Sequence, residues 1–175
     1  RDSGATILVS LPVHYRSLRA HSIDDHVLRL AFSSAGPLDP ADAEAFSAST
    51  GTPIFEVYGS TETGGIASRC RQRGEGDLTP FEPVQVAIDG DQALVTSPFI
   101  SPDLPRDEWG RFRLADRLEA AGNGRVRLLG RGDGIVKVGG KRVDLEVVRE
   151  RLLRQEGVAD AVVFSLGADS SRGAE

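Results

Sequence analysis

The sequence predicts an α/β protein: a parallel βαβ portion, then a small antiparallel, β-barrel-like subdomain, then the start of an α+β domain. Three observations carry this. Up to about residue 70, short apolar runs alternate with capped helical segments. Beyond it, alternating strands are joined by tight glycine turns. After Gly130, a glycine hairpin leads into an amphipathic helix. The expected divisions are 1–70, 71–130 and 131–175.

The elements follow in order. Thr6 to Leu11 is a short apolar run and predicts a strand. Pro12 suits the first helical position, with Val13 to Ala20 following as a short helix. Leu28 to Phe32 alternates apolar and polar residues, a second strand, and Ser33 to Pro37 is a small-residue loop at its end. Asp39 then caps a helix with Pro40 at its start, Asp42 in the first turn and Gly51 as C-cap. Pro53 to Val57 is a third strand, and Tyr58 to Gly65 a loop leaving it. Strand–helix–strand–helix–strand implies right-handed crossovers and a parallel sheet. Ligands bind beyond the C-terminal ends of such strands. The loops at 34–37 and 58–65 are therefore expected to share one crevice.

In the second part, Val84 to Ile88 and Ala93 to Thr96 flank a turn and predict a hairpin. An irregular loop with three prolines, 97–108, precedes a strand at Phe112 to Asp116 and its partner at Val126 to Leu129, around Gly122-Asn123-Gly124. In the third, Ile135 to Val138 and Lys141 to Val143 flank Gly139-Gly140, a two-residue hairpin signal. Asp144 caps a helix from Leu145 to Gln155 with an apolar stripe of Leu145, Val148 and Leu152, and Val158 to Leu166 reads as a strand. One hairpin, one helix and one strand bury little core alone, so this is the beginning of a domain.

Composition narrows the classes. The chain has 175 residues, 39% hydrophobic and 27% charged, as in globular proteins. A net charge of −5 argues against a nucleic-acid binder with a basic surface. No apolar run has the length of a membrane span, and no signal-peptide pattern opens the chain. Cys70 is the only cysteine, which excludes an internal disulfide and suits a reducing, cytoplasmic setting. Arg69, Arg71 and Arg73 beside it would favour a thiolate, but with no partnered histidine it reads as incidental. His14, His21 and His26 show no metal-ligand spacing. The chain has no Met, and it reads as a piece of something longer.

The octet Tyr58-Gly59-Ser60-Thr61-Glu62-Thr63-Gly64-Gly65 combines the groups a nucleotide site uses. Glycines let backbone N–H groups approach a ligand. Hydroxyls suit phosphate oxygens. Glu62 is a hard oxygen donor for Mg²⁺, and Tyr58 offers a flat face for a base. By itself such a cluster is more often a plain turn.

The octet resembles the Tyr-Gly-x-Thr-Glu motif of the adenylate-forming (AMP-binding) superfamily, which includes acyl-CoA synthetases, aryl-acid ligases and peptide-synthetase adenylation domains. The run from Gly130 to Val143 is similar to the superfamily's Gly-Arg-x-Asp-x-x-x-Lys-x-x-Gly-x-Arg-Ile signature, and Ser33 to Leu38 to its Ser-Gly-Gly-Ala-Pro-Leu. Phe112 to Arg117 stands where the family carries Tyr-x-Thr-Gly-Asp-Leu; Asp116 matches, but Leu114-Ala115 replaces Thr-Gly. The Leu-Ala-Asp-Arg form resembles a branch of synthetases serving aryl-polyene, xanthomonadin-type pathways.

The resemblance implies roles. Residues 1–70 would belong to the large AMP-binding domain, and 131–175 would begin the mobile C-terminal domain. Ala35, Gly36 and Pro37 would line the adenine site. Tyr58, beside Gly59, would stack on the base. Ser60 and Thr61 would touch phosphate oxygens, and Glu62 would hold Mg²⁺; Thr61 and Glu62 are the catalytic candidates. Asp116 and Arg131 would bind the ribose, with Arg142 near the nucleotide. Gly64 and Gly65 would border the acyl pocket, and Asp133 would be the hinge. Gly139, Gly140 and Lys141 would approach the pantetheine of CoA or of a carrier protein.

The implied activity is an AMP-forming acid–thiol ligase, using ATP, Mg²⁺ and a small carboxylic acid. The family's phosphate loop and C-terminal lysine are not in these 175 residues, so the isolated piece is expected to be inactive in adenylation. The alternatives are a non-catalytic nucleotide-binding or interaction module of the same fold and, from Arg131-Gly132-Asp133, an adhesion tripeptide; the lack of a signal peptide disfavours the latter.

Overall fold

The computed structural model describes residues 4–164 apart from 22, 24, 91, 133, 139 and 140, with backbone alone at 135, 137, 138, 141 and 142. The first sheet has five strands in chain order. β1 (Ile7–Ser10), β2 (Leu30–Ser33) and β3 (Ile54–Ser60) are parallel, and β4 (Gly64–Arg69) and β5 (Thr79–Pro80) continue antiparallel. The crossovers are α1 (Pro12–Leu18) and α2 (Pro40–Thr50). The α2 ends follow the expected chemistry. Asp39 accepts from the Ala41 N–H at 2.8 Å, satisfying an orphan donor, and Gly51 closes the helix at φ 65°, where an L side chain would be strained.

The helices cover one face of this sheet. Ala31 and Ile54 pack there with Tyr15, Leu38, Ala43 and Phe46. Tyr15 and Phe46 meet edge to face at 5.1 Å, and the Tyr15 hydroxyl donates to the Phe32 carbonyl at 2.7 Å. Asp42, buried, accepts from Arg16 and Arg19 at 3.3 and 3.0 Å, which ties α2 to the end of α1.

The second sheet runs β6 (Gln85–Asp89), β7 (Gln92–Thr96), β8 (Phe112–Gly122) and β9 (Arg125–Arg131), all antiparallel. Its inner face joins β4 in a second core: Ile66, Ala67, Leu78, Val84, Ala93, Val95, Leu114, Leu118 and Val126. β10 (Ile135–Val138) and β11 (Lys141–Asp144) form the glycine hairpin, and α3 (Leu145–Leu153) follows with Asp144 accepting from the Glu146 and Val147 N–H groups.

The structure corrects three expectations. Tyr58 to Gly65 is not a loop: β3 continues through Ser60, Thr61 to Thr63 turn, and β4 returns beside it. The strand at 112–116 extends to Gly122, because register shifts after Arg117 and Ala120 let it curve without losing its partner β9. Residues 158–164 are not a strand. They pair with no neighbour, and a strand needs a ladder; residues 165–166 lie outside the described part. This segment is instead tied to α3 by Arg149, which donates to the Ala161 carbonyl and to Asp160 at 2.8 and 3.0 Å. The helical stripe is also only partly covered, with Val147 and Leu152 exposed. Among the described residues no helix is long and apolar enough to cross a membrane.

Candidate nucleotide site

The β3–β4 hairpin is the structural centre of the site. Its tightest point is Gly59, opposite Gly65 in a register that shifts after Tyr58. A Cβ on Gly59 would stand 2.1 Å from the Gly64 carbonyl oxygen, so only glycine lets the two strands approach this closely. Gly64, at φ +65°, lies against Phe99, and Gly65 against Phe81.

The turn is braced by Thr63, which the sequence did not single out. It is fully buried, and its Oγ1 accepts from the Ser60 N–H at 3.2 Å, contacts the Ser60 hydroxyl at 3.1 Å and donates to the Gly64 carbonyl. Its position, three residues after a serine in a turn, is the local signal that would have found it. The Ser101 N–H donates to the Glu62 carbonyl at 3.0 Å, so the proline-rich loop closes over the same turn.

Beside the hairpin lies a cleft of about 450 Å³, lined by Ser34, Ala35, Val57, Gly59, Ser60, Thr61, Gly64 and Gly65. The loops after β2 and β3 share one crevice, as the parallel topology requires. Gly36 and Pro37 are exposed on the same loop. Ala35 holds φ 64°, a left-handed conformation that costs a non-glycine residue roughly 1–2 kcal/mol. Ala35→Gly should therefore raise stability by about 1 kcal/mol, part of the strain relief being offset by the looser unfolded chain. Urea unfolding reads this, and a destabilised variant would contradict it.

β8 meets β3 at Tyr58. Leu114 points into the core, and Asp116, two residues on, faces the same way. The Tyr58 hydroxyl donates to Asp116 Oδ2 at 2.8 Å. Asp116 pairs with Arg131 of β9 across the ladder, which puts both side chains on one face. Glu62 is exposed at the turn, and its carboxyl is held below the usual range, first by the Ser60 hydroxyl, then by its own N–H and by Arg131. Tyr58, Glu62, Asp116 and Arg131 thus converge.

The Gly132 N–H donates to the Ala115 carbonyl at 2.7 Å, so the chain leaving β9 is pinned to the altered Leu114-Ala115 pair. Asp133, Gly139 and Gly140 lie outside the described residues, as do the side chains of Lys141 and Arg142. Cys70 is buried, while Arg69 and Arg71 turn to Glu56 at 2.8 and 2.6 Å.

Burial pushes the Tyr58 hydroxyl far above its ordinary value, and the hydrogen bond to Asp116 pushes it further; burial takes Tyr15 to about 12. These are the chain's only two tyrosines. Both bind their protons more tightly folded than unfolded. Their contribution to stability is complete below pH about 10 and is lost as pH rises above it. In an ultraviolet titration neither tyrosine should ionise independently near pH about 10; tyrosinate should appear together with unfolding. A separate one-proton titration near 10 in folded protein would contradict this.

The chain matches no model of a known protein family. It is 31% identical over 137 residues to a 4-coumarate–CoA ligase of Rhodobacter capsulatus, covering 78% of this chain and 32% of that one. It is 29% identical over 189 residues to a mitochondrial acyl-coenzyme A synthetase of Rattus norvegicus, covering 90% of this chain and 33% of that one. Among solved structures, it superposes on the O-succinylbenzoate coenzyme A synthetase of Bacillus subtilis in complex with ATP and magnesium, with a TM-score of 0.74, 19% identity and coverage of 90% and 38%. The chain has the fold of the adenylate-forming ligases and resembles them in sequence. The ATP-bound MatB of Rhodopseudomonas palustris aligns at a TM-score of 0.70 with 24% identity, over 89% of this chain and 37% of that one. This chain spans about a third of the length of the curated adenylate-forming relatives named above.

Proposed function

We infer that this chain supplies the nucleotide- and magnesium-facing part of an AMP-forming acid–thiol ligase. The observation that carries the reading is the convergence of Tyr58, Glu62, Asp116 and Arg131 where β3 meets the second sheet, next in the chain to Gly59, Ser60 and Thr61 of the cleft. In this reading the Tyr58 ring stacks on adenine beside Ala35, Gly36 and Pro37. Asp116 accepts from the ribose hydroxyls, and Arg131 donates to the ribose. Ser60 and Thr61 face the phosphates, beside Gly59. Gly64 and Gly65 border the acid.

Glu62 fits a magnesium ion: it is an ionised, exposed oxygen donor at the end of the hairpin. No cluster of three or more metal-binding side chains occurs among the described residues. In this reading the cation is held by one carboxylate, substrate phosphates and water. When bound, the ion would neutralise charge on the phosphates. The chain's own part is to hold the α-phosphorus of ATP within reach of the acid carboxylate, so that acyl-AMP and pyrophosphate form. A thiol of CoA, or of a carrier protein's phosphopantetheine, would then take the acyl group near Gly139, Gly140 and Lys141, with Arg142 by the nucleotide.

The proposed units are 1–70, 71–130 and 131–175, the last turning about Asp133. A cytoplasmic setting goes with the activity. An aryl or fatty acid is the proposed substrate class.

The test is ATP–pyrophosphate exchange, run on the longest natural polypeptide carrying this sequence with a panel of aryl and fatty acids. Exchange with one acid supports the reading and names the substrate. Nucleotide binding with no exchange for any acid would favour the second reading, a non-catalytic nucleotide-binding module. Leu114-Ala115 in place of Thr-Gly is the feature that favours that alternative.

A further inference from the structure

The Tyr58–Asp116 contact joins two elements that are 58 residues apart, one from each sheet. Stacking on a base needs only the ring of Tyr58. Its hydroxyl is spent otherwise, on one oxygen of the carboxylate proposed to read the sugar. A carboxylate has about four acceptor positions. One hydrogen bond from Tyr58 leaves capacity for two ribose hydroxyls while removing the freedom of Asp116 to rotate. Asp116 lies where β8 is about to shift register, between Leu114 in the core and the break after Arg117. The ladder holds its backbone up to that break, and a side-chain tether adds what backbone pairing does not set, the rotation of the carboxylate. The tether is a donor over the whole range in which an enzyme works, because burial keeps the Tyr58 hydroxyl protonated.

We propose that the Tyr58 hydroxyl is a positioning group for Asp116, so that the residue that stacks on the base also sets the carboxylate that discriminates ribose from deoxyribose. This rests on the nucleotide reading above and adds to it a specific prediction. Tyr58→Phe keeps the ring and removes only the tether. It should leave base stacking intact and degrade recognition of the sugar.

The experiment measures binding of AMP and of 2′,3′-dideoxy-AMP by calorimetry, in the longest natural polypeptide carrying this sequence. The proteins are wild type, Tyr58→Phe, Asp116→Asn and the double variant, each checked for folding by circular dichroism. Wild type is expected to prefer AMP by about 10-fold or more, as hydrogen bonds to a charged group allow. Tyr58→Phe should cut that preference to about a third of its value or less, with dideoxy-AMP binding nearly unchanged. Asp116→Asn should remove most of the preference, and adding Tyr58→Phe to it should change nothing further, since both act through one carboxylate. A preference kept in Tyr58→Phe, or additive losses in the double variant, would overturn the proposal while leaving the nucleotide reading in place. Failure of wild type to bind either nucleotide would overturn both. A merely structural role for Tyr58 would weaken both nucleotides equally, which also counts against the proposal.

Discussion

Gly59→Ala should open the β3–β4 hairpin and cost about 3 kcal/mol or more, at the upper end of what overpacking does. The added methyl would lie 2.1 Å from the Gly64 carbonyl oxygen and 3.0 Å from both the Gly64 carbonyl carbon and the Gly65 Cα. Every one of those atoms is backbone, so no side-chain rotation relieves the clash. The two strands must part, and with them go the Ser60–Thr63 contacts and the cleft wall. Gly76→Ala is the matched control, because a Cβ there meets nothing within 4 Å and its backbone is not left-handed. Urea unfolding of both variants decides the matter. A Gly59→Ala protein within about 0.5 kcal/mol of the parent would mean that the hairpin is looser than described.

Asp116→Ala should lower ATP–pyrophosphate exchange about 100-fold or more in the longest natural polypeptide, if the proposed activity holds. Two hydrogen bonds from ribose hydroxyls to a carboxylate are lost, each of a kind worth about 1.5–3 kcal/mol, and each 1.4 kcal/mol is tenfold. The loss should appear first as a raised KM for ATP, since the ribose is held before and during the reaction. Global stability should change far less than activity, because Asp116 is only half-buried and its direct side-chain partner is the Tyr58 hydroxyl. Exchange at the parent's rate would remove Asp116 from the site.

How much of this was legible beforehand depended on whether the signal was local. Asp39, Pro40 and Gly51 announced α2 because caps act within one turn, and Asp144 did so for α3. Alternation revealed β6 and β7 for the same reason. The octet misled because glycine has two uses. Read locally, three glycines and three hydroxyls make a loop; in the fold, Gly59 and Gly65 serve close approach of two strands. The phenyl rings that border Gly64 and Gly65 come from Phe99 and Phe81, and no local pattern places them there. The Tyr58–Asp116 contact is of the same kind, a tertiary pairing that only the ordered set of motifs hinted at. Residues 158–164 read as strand from β-branched composition, yet composition supplies no partner.

β3 begins in one core and ends in the other. Ile54 packs with Tyr15 and Phe46, while Tyr58, four residues later, packs with the cluster around Ile66 and Leu114. The two clusters share no residue, so each is a natural cooperative unit, and this seven-residue strand is the seam between them. Amide protons of α2 and of β8 should then exchange with solvent as two separate groups, each with its own opening free energy. Those of β3 should follow whichever unit is weaker. The cleft borders that seam, so loosening either half of the molecule, by heat or by a distant substitution, reaches the proposed nucleotide site first.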